Sequence, residues 1–165
     1  MRRIARNASA ALAAALLVGG CGKPVFNLGK VIPAASPDSV AVDLFLIGDA
    51  GLPAPDDEPV LEGLKRAIRW DPNRSFVVFL GDNVYPAGIP PEGNAYRSEA
   101  ERILNEQVDV LRDTRTRGIF VPGNHDWEAG GPGGWDAVRR QAEYVEEKGG
   151  DLVEYLPQGG CPGPE

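Results

Sequence analysis

Three short apolar runs, each followed by a Gly-Asp or Gly-Asn turn, constrain the fold of this 165-residue chain more than any other feature. Apolar runs of about four to eight residues bounded by turn residues are typical of buried strands. The three runs are residues 41–47, residues 76–80 and residues 119–121. The turns that follow them contain Asp49, Asp82 and Asn124. The pattern therefore predicts three strands that end in polar turns.

Segments with helical periodicity separate these strands, because apolar residues recur there every three or four positions. The predicted helices are residues 58–70, a segment that begins near Ser98, and residues 135–148. Ser98-Glu99-Ala100-Glu101 resembles a capping box, and residues 152–156 are predicted to form a final strand. This order predicts an α/β fold with a parallel or mixed sheet flanked by helices. The unbroken apolar character of residues 76–80 predicts a sheet that is covered on both faces.

Composition limits the classes of function. The chain has 17 Lys+Arg, 24 Asp+Glu and a formal net charge of −7, which argues against non-specific nucleic-acid binding because phosphates would be repelled. Its single histidine, His125, excludes an HExxH zinc site and a zinc finger with two histidines. Any metal site must therefore rely on oxygen ligands or on residues that this sequence lacks.

The polar turns predict a metal site at one edge of the sheet. Each turn alone has an ordinary structural explanation, since Asp and Asn are common in turns, but chance explains three in succession poorly. The side chains concerned are Asp49, Asp82, Tyr85, Asn124 and His125. Because the carboxyl ends of parallel strands meet at one edge, we expect these oxygen-rich groups to lie together and to suit hard ions such as ferric iron or manganese. Two such ions bridged by Asp82 would clamp a phosphate and activate water, while His125 stabilises charge or protonates the leaving oxygen.

The three turns resemble the first three motifs of the calcineurin-like metallophosphoesterases, and in particular those of the purple acid phosphatase branch. That branch has the motifs DxG, GDxxY and GNH followed by an acid. They stand here as Asp49-Ala50-Gly51, Gly81-Asp82-Asn83-Val84-Tyr85 and Gly123-Asn124-His125-Asp126. The resemblance covers residues 41–127. It implies the N-terminal half of a four-layer α/β/β/α sandwich with strand–helix repeats. It also implies hydrolysis of phosphate esters by a dinuclear metal centre with a metal-activated water.

The resemblance implies a role for each site residue. Asp49 and Tyr85, the latter as a tyrosinate, would bind the first metal ion. Asp82 would bridge both ions, Asn124 would bind the second, and His125 would act on the substrate phosphate. The implied cofactors are two divalent or trivalent ions, with iron paired with iron, zinc or manganese. A second interpretation of Tyr85 stays open, as an aromatic side chain packed below the site with its hydroxyl hydrogen-bonded.

The same resemblance exposes a shortage of ligands. The family site also needs three histidines from later VxxH and GHxH motifs, and the sequence has none besides His125. Gly51 stands where most of the wider superfamily has a metal-binding histidine, and the second metal would keep only Asp82 and Asn124. We therefore expect residues 40–165 to be an incomplete metallophosphoesterase domain from a longer enzyme, inactive alone. The alternative is a non-catalytic lipoprotein whose remnant site binds a ligand or a partner.

The N-terminus resembles the export signal of a bacterial lipoprotein. Residues 1–20 combine a basic start with an apolar stretch over residues 8–18, which is shorter than the roughly 20 residues that a membrane span needs. The sequence before Cys21 resembles a lipobox, so Cys21 is the predicted lipidation site and residues 21–39 the flexible tether. Gly22, in place of an aspartate, favours anchoring in the outer membrane. An ordinary signal peptide followed by a chance cysteine is the alternative.

Three further residues have open interpretations. Trp127 and Trp135 flank a glycine-rich loop beside the third turn, where they either pack the loop or contact a base or sugar of a substrate. Cys161 has no disulfide partner within this chain if Cys21 is acylated.

Two binding partners are predicted. The first is a phosphate ester substrate, and the second is a membrane, which the protein would contact through its N-terminal lipid.

Overall fold

The computed structural model describes residue 36 and residues 39–53 and 59–157. Strands and helices alternate along this part of the chain. They are β1 (Asp43–Ile47), α1 (Pro59–Ile68), β2 (Ser75–Phe79), α2 (Arg97–Thr114), β3 (Arg117–Phe120), α3 (Gly134–Gly149) and β4 (Val153–Tyr155). Short 3-10 turns, Glu128–Gly130 and Gly150–Leu152, precede α3 and β4. The predicted α/β fold is confirmed, with element boundaries within three residues of those expected.

The four strands form one parallel sheet in the order β1-β2-β3-β4. The register pairs Leu46 with Val78 and Val78 with Ile119, so the sheet grows by one strand at each step in a constant direction. Crossovers between parallel strands are almost always right-handed. Since every step goes the same way, right-handed crossovers place α1, α2 and α3 on one face of the sheet.

Burial along the strands identifies this covered face. Ser75, Val77 and Phe79 of β2 are buried, whereas Phe76 and Val78 between them are partly exposed. Apolar side chains of all three helices pack against the covered face. The main core residues are Leu61, Leu64, Ile68, Val77, Phe79, Leu104, Val108, Leu111, Phe120, Val138, Val145, Val153 and Tyr155. The single core therefore lies between the sheet and its helical layer.

The described residues leave the opposite face of the sheet open, so the cover on both faces that the sequence predicts is not found among them. Leu44 and Leu46 of β1 keep 57% and 56% of their surface exposed, and Leu80 at the end of β2 keeps 49%. The sequence of β2 shows that both sides of this strand are apolar. It does not show whether other residues cover both sides. Residues 41–47 are accordingly a strand with one exposed apolar side.

The predicted capping box at Ser98–Glu101 is also wrong. Helix α2 starts at Arg97, its N-cap is Tyr96, and no side chain caps it. The N-cap lies two residues earlier than Ser98, where the Tyr96 N–H donates to Asn94 Oδ1 at 2.8 Å. Ser98 therefore lies inside the first turn instead of preceding it.

Several predictions fall on residues that the structure does not describe. These are the signal peptide (1–20), the lipidation site Cys21, most of the tether (21–39) and Cys161. Among the described residues, no helix is both long and apolar enough to cross a bilayer.

Candidate metal centre

The three polar turns lie side by side at the carboxyl edge of the sheet, and backbone hydrogen bonds join the first two. The Asp49 N–H donates to Gly81 O at 3.1 Å, and the Gly51 N–H donates to Asp82 O at 2.9 Å. In return, the Tyr85 N–H donates to Gly51 O at 3.2 Å. These bonds fix the backbone of the first turn against that of the second, which limits how far their side chains can separate.

Glycine makes this close approach possible. A Cβ at Gly51 would lie 2.5 Å from both Asp82 O and Val84 N, closer than carbon can come to backbone atoms. A Cβ at Gly123, in the third turn, would overlap the Asp82 backbone and carboxylate. The second turn is thus held between glycines of the first and third turns.

An oxygen cluster forms where the first two turns meet. The Tyr85 hydroxyl oxygen lies 2.7 Å from Asp49 Oδ1 and 2.9 Å from Asp82 Oδ2. One phenol therefore contacts two carboxylates that are 33 positions apart in the sequence. The structure brings these three predicted ligands together as the spacing of the motifs suggested.

Electrostatics hold the proton on this phenol. Hydrogen bonding to Asp49 raises the pKa of Tyr85 well above its usual value, and desolvation and the Asp82 carboxylate add to the effect. The phenol has a single proton, which it can donate to only one carboxylate at a time, so the negative charge of the pair is not balanced by Tyr85. The cluster is therefore electron-rich and suited to a positive ion.

The backbone is strained at both carboxylates. Asp49 has φ 57° and Asp82 has φ 53°, a left-handed conformation that few non-glycine residues adopt. Such residues are concentrated at functional sites, because each costs of order 1–3 kcal/mol unless its surroundings impose it. Here the glycine contacts and the hydrogen bonds between turns impose it.

His125 joins the cluster through both its backbone and its ring. Its backbone N–H donates to Asp82 Oδ1 at 3.0 Å, and its ring lies 4.3 Å from the Tyr85 ring, centroid to centroid. Nδ1 is 2.7 Å from Pro86 O, and since a carbonyl only accepts, Nδ1 carries the proton and donates. Nε2 is thus the nitrogen left for other partners.

Asn124 is placed in the third turn between Gly123 and His125, but its side chain is exposed and forms no hydrogen bond with a described residue. The backbone carbonyl oxygen of Asn124 accepts a hydrogen bond from the Ala129 N–H at 2.8 Å, which stabilises the turn. The structure therefore joins Asp49, Asp82, Tyr85 and His125 by direct contacts, and leaves the Asn124 side chain at the rim.

The sequence analysis included Asp126 as the acid that ends the third motif but gave it no role, and in the structure it ties the third turn to the second. Asp126 is fully buried, and its carboxylate accepts from the backbone N–H groups of Asn83, Val84 and Gly123 at 2.8–3.1 Å. The Asn83 side chain also donates to it at 3.1 Å. Burial raises the pKa of Asp126 above the usual carboxyl range, while these donors act in the opposite direction. Its position beside the GNH motif was the only signal.

Two buried glutamines from the helices complete the support of the site. Gln107 of α2 donates to Asn83 O at 2.8 Å and to Ala50 O at 3.3 Å, so one amide contacts both the first and the second turn. Gln141 of α3 donates to the Tyr155 hydroxyl at 3.3 Å. Each glutamine occupies a position on the apolar side of its helix, and a polar residue there was the signal that could have identified it.

Trp127 and Trp135 contact each other, with ring centroids 5.8 Å apart and planes inclined by 23°. Trp127 also packs against the hydrophobic core. This arrangement favours the packing interpretation over contact with a substrate base.

The donor set fits one metal ion better than two. Asp49, Tyr85 and Asp82 present three hard oxygen donors at one point, which is the chemistry that ferric iron or manganese prefers. Within the described part of the chain, no three His, Cys, Asp or Glu side chains form a group able to hold an ion. The phenol of Tyr85 is thus what turns a pair of carboxylates into a three-donor site.

A family model described as calcineurin-like phosphoesterase matches residues 43–161, well over half of the chain. No curated protein and no solved structure is significantly similar to it. The match includes all three turns of the oxygen cluster and the elements that carry them.

Proposed function

The chain belongs to the calcineurin-like phosphoesterase family, and from this premise we propose that its oxygen cluster holds the metal centre of a phosphate ester hydrolase of the purple acid phosphatase type. The family generally uses two metal ions and acts on phosphoesters. The identity of the ions, the tyrosinate ligand and the role of each residue are our proposals.

One observation carries the proposal, the contact of the Tyr85 hydroxyl with both Asp49 and Asp82. A phenol that only packs below a site would need one hydrogen-bond partner, and this one faces two carboxylates. Their combined negative charge is best balanced by a multivalent cation. The contact supports Tyr85 as a ligand and opposes its purely structural interpretation.

Each residue of the cluster has a proposed role. Asp49 and Tyr85 would hold the first ion, Asp82 would bridge, and Asn124 would reach the second ion from the rim. When bound, such a centre polarises the phosphate and activates a water molecule. His125 is oriented by its Nδ1–H bond to Pro86 O, and its Nε2 is the nitrogen offered to a phosphate or leaving-group oxygen.

The second metal position is the weak one. Only Asp82 and Asn124 of this sequence serve it, and the single histidine of the chain is already assigned to the substrate. We therefore expect the chain of 165 residues to bind one ion firmly and, by itself, to be inactive in phosphate ester hydrolysis. Further histidine ligands from outside this sequence would be required for a complete dinuclear centre.

The test is ferric iron binding and p-nitrophenyl phosphate hydrolysis by the whole chain and by Asp82→Asn. Asparagine tolerates the positive φ of residue 82 and keeps an oxygen for the His125 N–H, so the fold should persist. Substitution of a residue that only hydrogen-bonds to a metal ligand lowers metal affinity by about 10–100-fold. Loss of a ligand itself should therefore weaken iron binding more than about 100-fold.

Asp109→Asn is the matched control, because it makes the same change at an exposed acid of α2, whose carboxylate pairs with Arg112 of the same helix. It should leave iron binding unchanged. Equal iron affinity of the wild type and Asp82→Asn would refute the ligand assignment. Iron binding without hydrolysis by this chain is expected of both functions, whereas hydrolysis that Asp82→Asn loses would exclude the non-catalytic alternative.

We also propose that Cys21 is acylated and anchors the protein in the outer membrane of a bacterium. The support is the lipobox-like sequence and the proline-containing segment that links it to β1. Cells grown with a labelled fatty acid should label the wild-type chain and not Cys21→Ser, with Cys161→Ser as the control that keeps the label. Labelling of Cys21→Ser would contradict this assignment.

A further inference from the structure

A basic cavity lies at the amino edge of the sheet, opposite the oxygen cluster. Its volume is about 360 Å³, and it is lined by the residues that lead into β1, β2 and β3. Three of the lining residues are arginines, Arg74, Arg115 and Arg117. The Thr116 hydroxyl donates to Pro72 O at 3.4 Å, which links the two turns that form its walls. The cavity is therefore part of the ordered fold.

Two of the three guanidinium groups are free to bind an external anion. Arg74 is engaged, with Nε 2.6 Å from Asp71 Oδ2 and an amino group 2.7 Å from Val40 O. Arg115 and Arg117 are exposed, and neither side chain forms an ion pair with a described residue. In a chain with a formal net charge of −7, this cavity concentrates unpaired positive charge at one place.

The carboxylates around this edge do not cancel that charge. Asp71 is paired with Arg74, and Asp113 near the end of α2 is paired with Lys65 at 3.1 Å. Asp43 at the start of β1, and Glu147 and Asp151 on the β4 side of this edge, do not line the cavity. The charged residues that line the cavity are thus all arginines.

Two large apolar side chains are exposed at this edge of the sheet. Trp70 follows α1 two positions before Pro72, which lines the cavity, and 91% of its surface is exposed. Val42, itself part of the cavity wall, is 62% exposed. An exposed tryptophan at the same edge of a fold as cationic side chains is the combination that proteins place at the boundary between lipid headgroups and water.

We propose that this amino edge is a docking surface for an anionic phospholipid bilayer. Arg115 and Arg117 bind headgroup phosphates, and Trp70 enters the interface. The chain reaches β1 through residues 39–42, so the N-terminal segment joins the fold at this same edge. Docking here leaves the oxygen cluster, at the carboxyl edge, directed away from the lipid and open to water-soluble phosphate esters.

The test measures binding of the whole chain to vesicles, in a Cys21→Ser background so that no acyl chain contributes. Vesicles of phosphatidylglycerol with phosphatidylcholine are compared with vesicles of phosphatidylcholine alone. The variant Arg115→Gln/Arg117→Gln is compared with the parent chain. Each arginine near an anionic surface contributes about 1 kcal/mol, so we expect binding to the anionic vesicles to weaken about 30-fold.

The matched control is Arg102→Gln/Arg139→Gln, which removes two arginines from the first halves of α2 and α3, towards the opposite edge. It should retain vesicle binding within about threefold. Because every variant keeps the same N-terminal residues, their contribution cancels in the comparison. Unfolding curves of each variant establish that the fold is retained.

A second readout follows Trp70. Anionic vesicles should shift the tryptophan emission of the parent chain to the blue, and Trp70→Ala should lose this shift. Equal binding of the parent chain to both vesicle types, or an unaffected Arg115→Gln/Arg117→Gln variant, would overturn the proposal. So would complete release by inorganic phosphate at the concentration of lipid phosphate, since the site would then take the free anion.

Discussion

At the scale of single residues, Tyr85 distinguishes a metal ligand from a packing aromatic. Its hydroxyl contacts Asp49 and Asp82, so Tyr85→Phe should abolish the visible charge-transfer colour of the iron-loaded chain. Because one exposed hydroxyl is lost, the free energy of unfolding should change by about 1 kcal/mol or less. Visible absorption spectra and urea unfolding measure the two effects.

Tyr96→Phe is the control for this prediction. The Tyr96 hydroxyl donates to Tyr85 O at 2.7 Å, so this substitution removes a neighbouring phenol that does not face the carboxylates. Its iron-loaded form should keep the colour. If Tyr85→Phe kept it as well, the colour would come from another ligand.

Gly51 provides a second prediction at this scale. A Cβ at this position would overlap the backbone at Asp82 and Val84, so Gly51→Ala should destabilise the fold by about 1–3 kcal/mol. The control is Gly63→Ala in α1, where the added Cβ meets only ordinary contacts and should stabilise by about 0.5–1 kcal/mol. Urea unfolding compares them, and a Gly51→Ala variant as stable as the wild type would show that the turns can separate.

The same contact explains one departure from the wider superfamily. With the backbones of the first two turns this close, residue 51 has no space for the histidine that most members of the superfamily carry there. The sequence showed the absence of that histidine, and the reason for it became visible only in the structure.

The residues of the site differ in how well the sequence predicted them. Asp49, Asp82 and Tyr85 could be predicted because each follows a strand that the apolar pattern reveals, and parallel strands end at one edge. Asp126 could not be given its role, since nothing local tells a solvated turn acid from one that accepts three buried backbone N–H groups. Such a role depends on which turn lies opposite.

At the scale of elements, α2 positions the site through Gln107. Gln107→Leu would leave Asn83 O and Ala50 O without their donor, and buried polar groups left unpaired cost about 1–3 kcal/mol. We expect the free energy of unfolding to fall by about that amount. Iron affinity should fall about 10–100-fold, since a group that supports the ligands is lost. Urea unfolding and iron titration measure both.

Asp109→Ala on the exposed side of the same helix is the control, and it should change stability by about 0.5 kcal/mol or less. A Gln107→Leu variant that lost stability but kept its iron affinity would show that α2 supports the core without positioning the ligands.

Helix and strand positions were more predictable than helix starts. Apolar residues three and four positions apart form one side of α2, and this spacing predicted which side of the helix is buried. Its start depends on a hydrogen bond to the Asn94 side chain, which the Ser98–Glu101 pattern did not reveal. Local patterns predict a cap only when no neighbouring turn competes.

At the scale of the whole molecule, one face of the sheet is left open by the described residues, although the sequence predicts that both are covered. A strand order that advances in one direction with right-handed crossovers puts every helix on one side, whatever the composition of the other side. The apolar residues of the uncovered side still suggested burial. Their pattern is appropriate to the four-layer sandwich that the family resemblance implies, in which a second sheet covers this face.

The open face leads to a prediction for the isolated chain. Leu44 and Leu46 are more than half exposed and lie side by side on β1 with Leu80 nearby at the end of β2, so the face should bind the hydrophobic dye ANS. Leu44→Lys/Leu46→Lys should lower dye fluorescence several-fold and reduce self-association in sedimentation experiments. Its stability should change by about 0.5 kcal/mol or less per site, because neither side chain is buried among the described residues.

The control Val60→Lys, which adds a charge at an exposed apolar residue of α1, should leave dye binding unchanged. Equal dye fluorescence in the wild type and the double lysine variant would mean that residues outside the described ranges cover the face, and a loss of several kcal/mol in the double variant would locate that cover directly on β1.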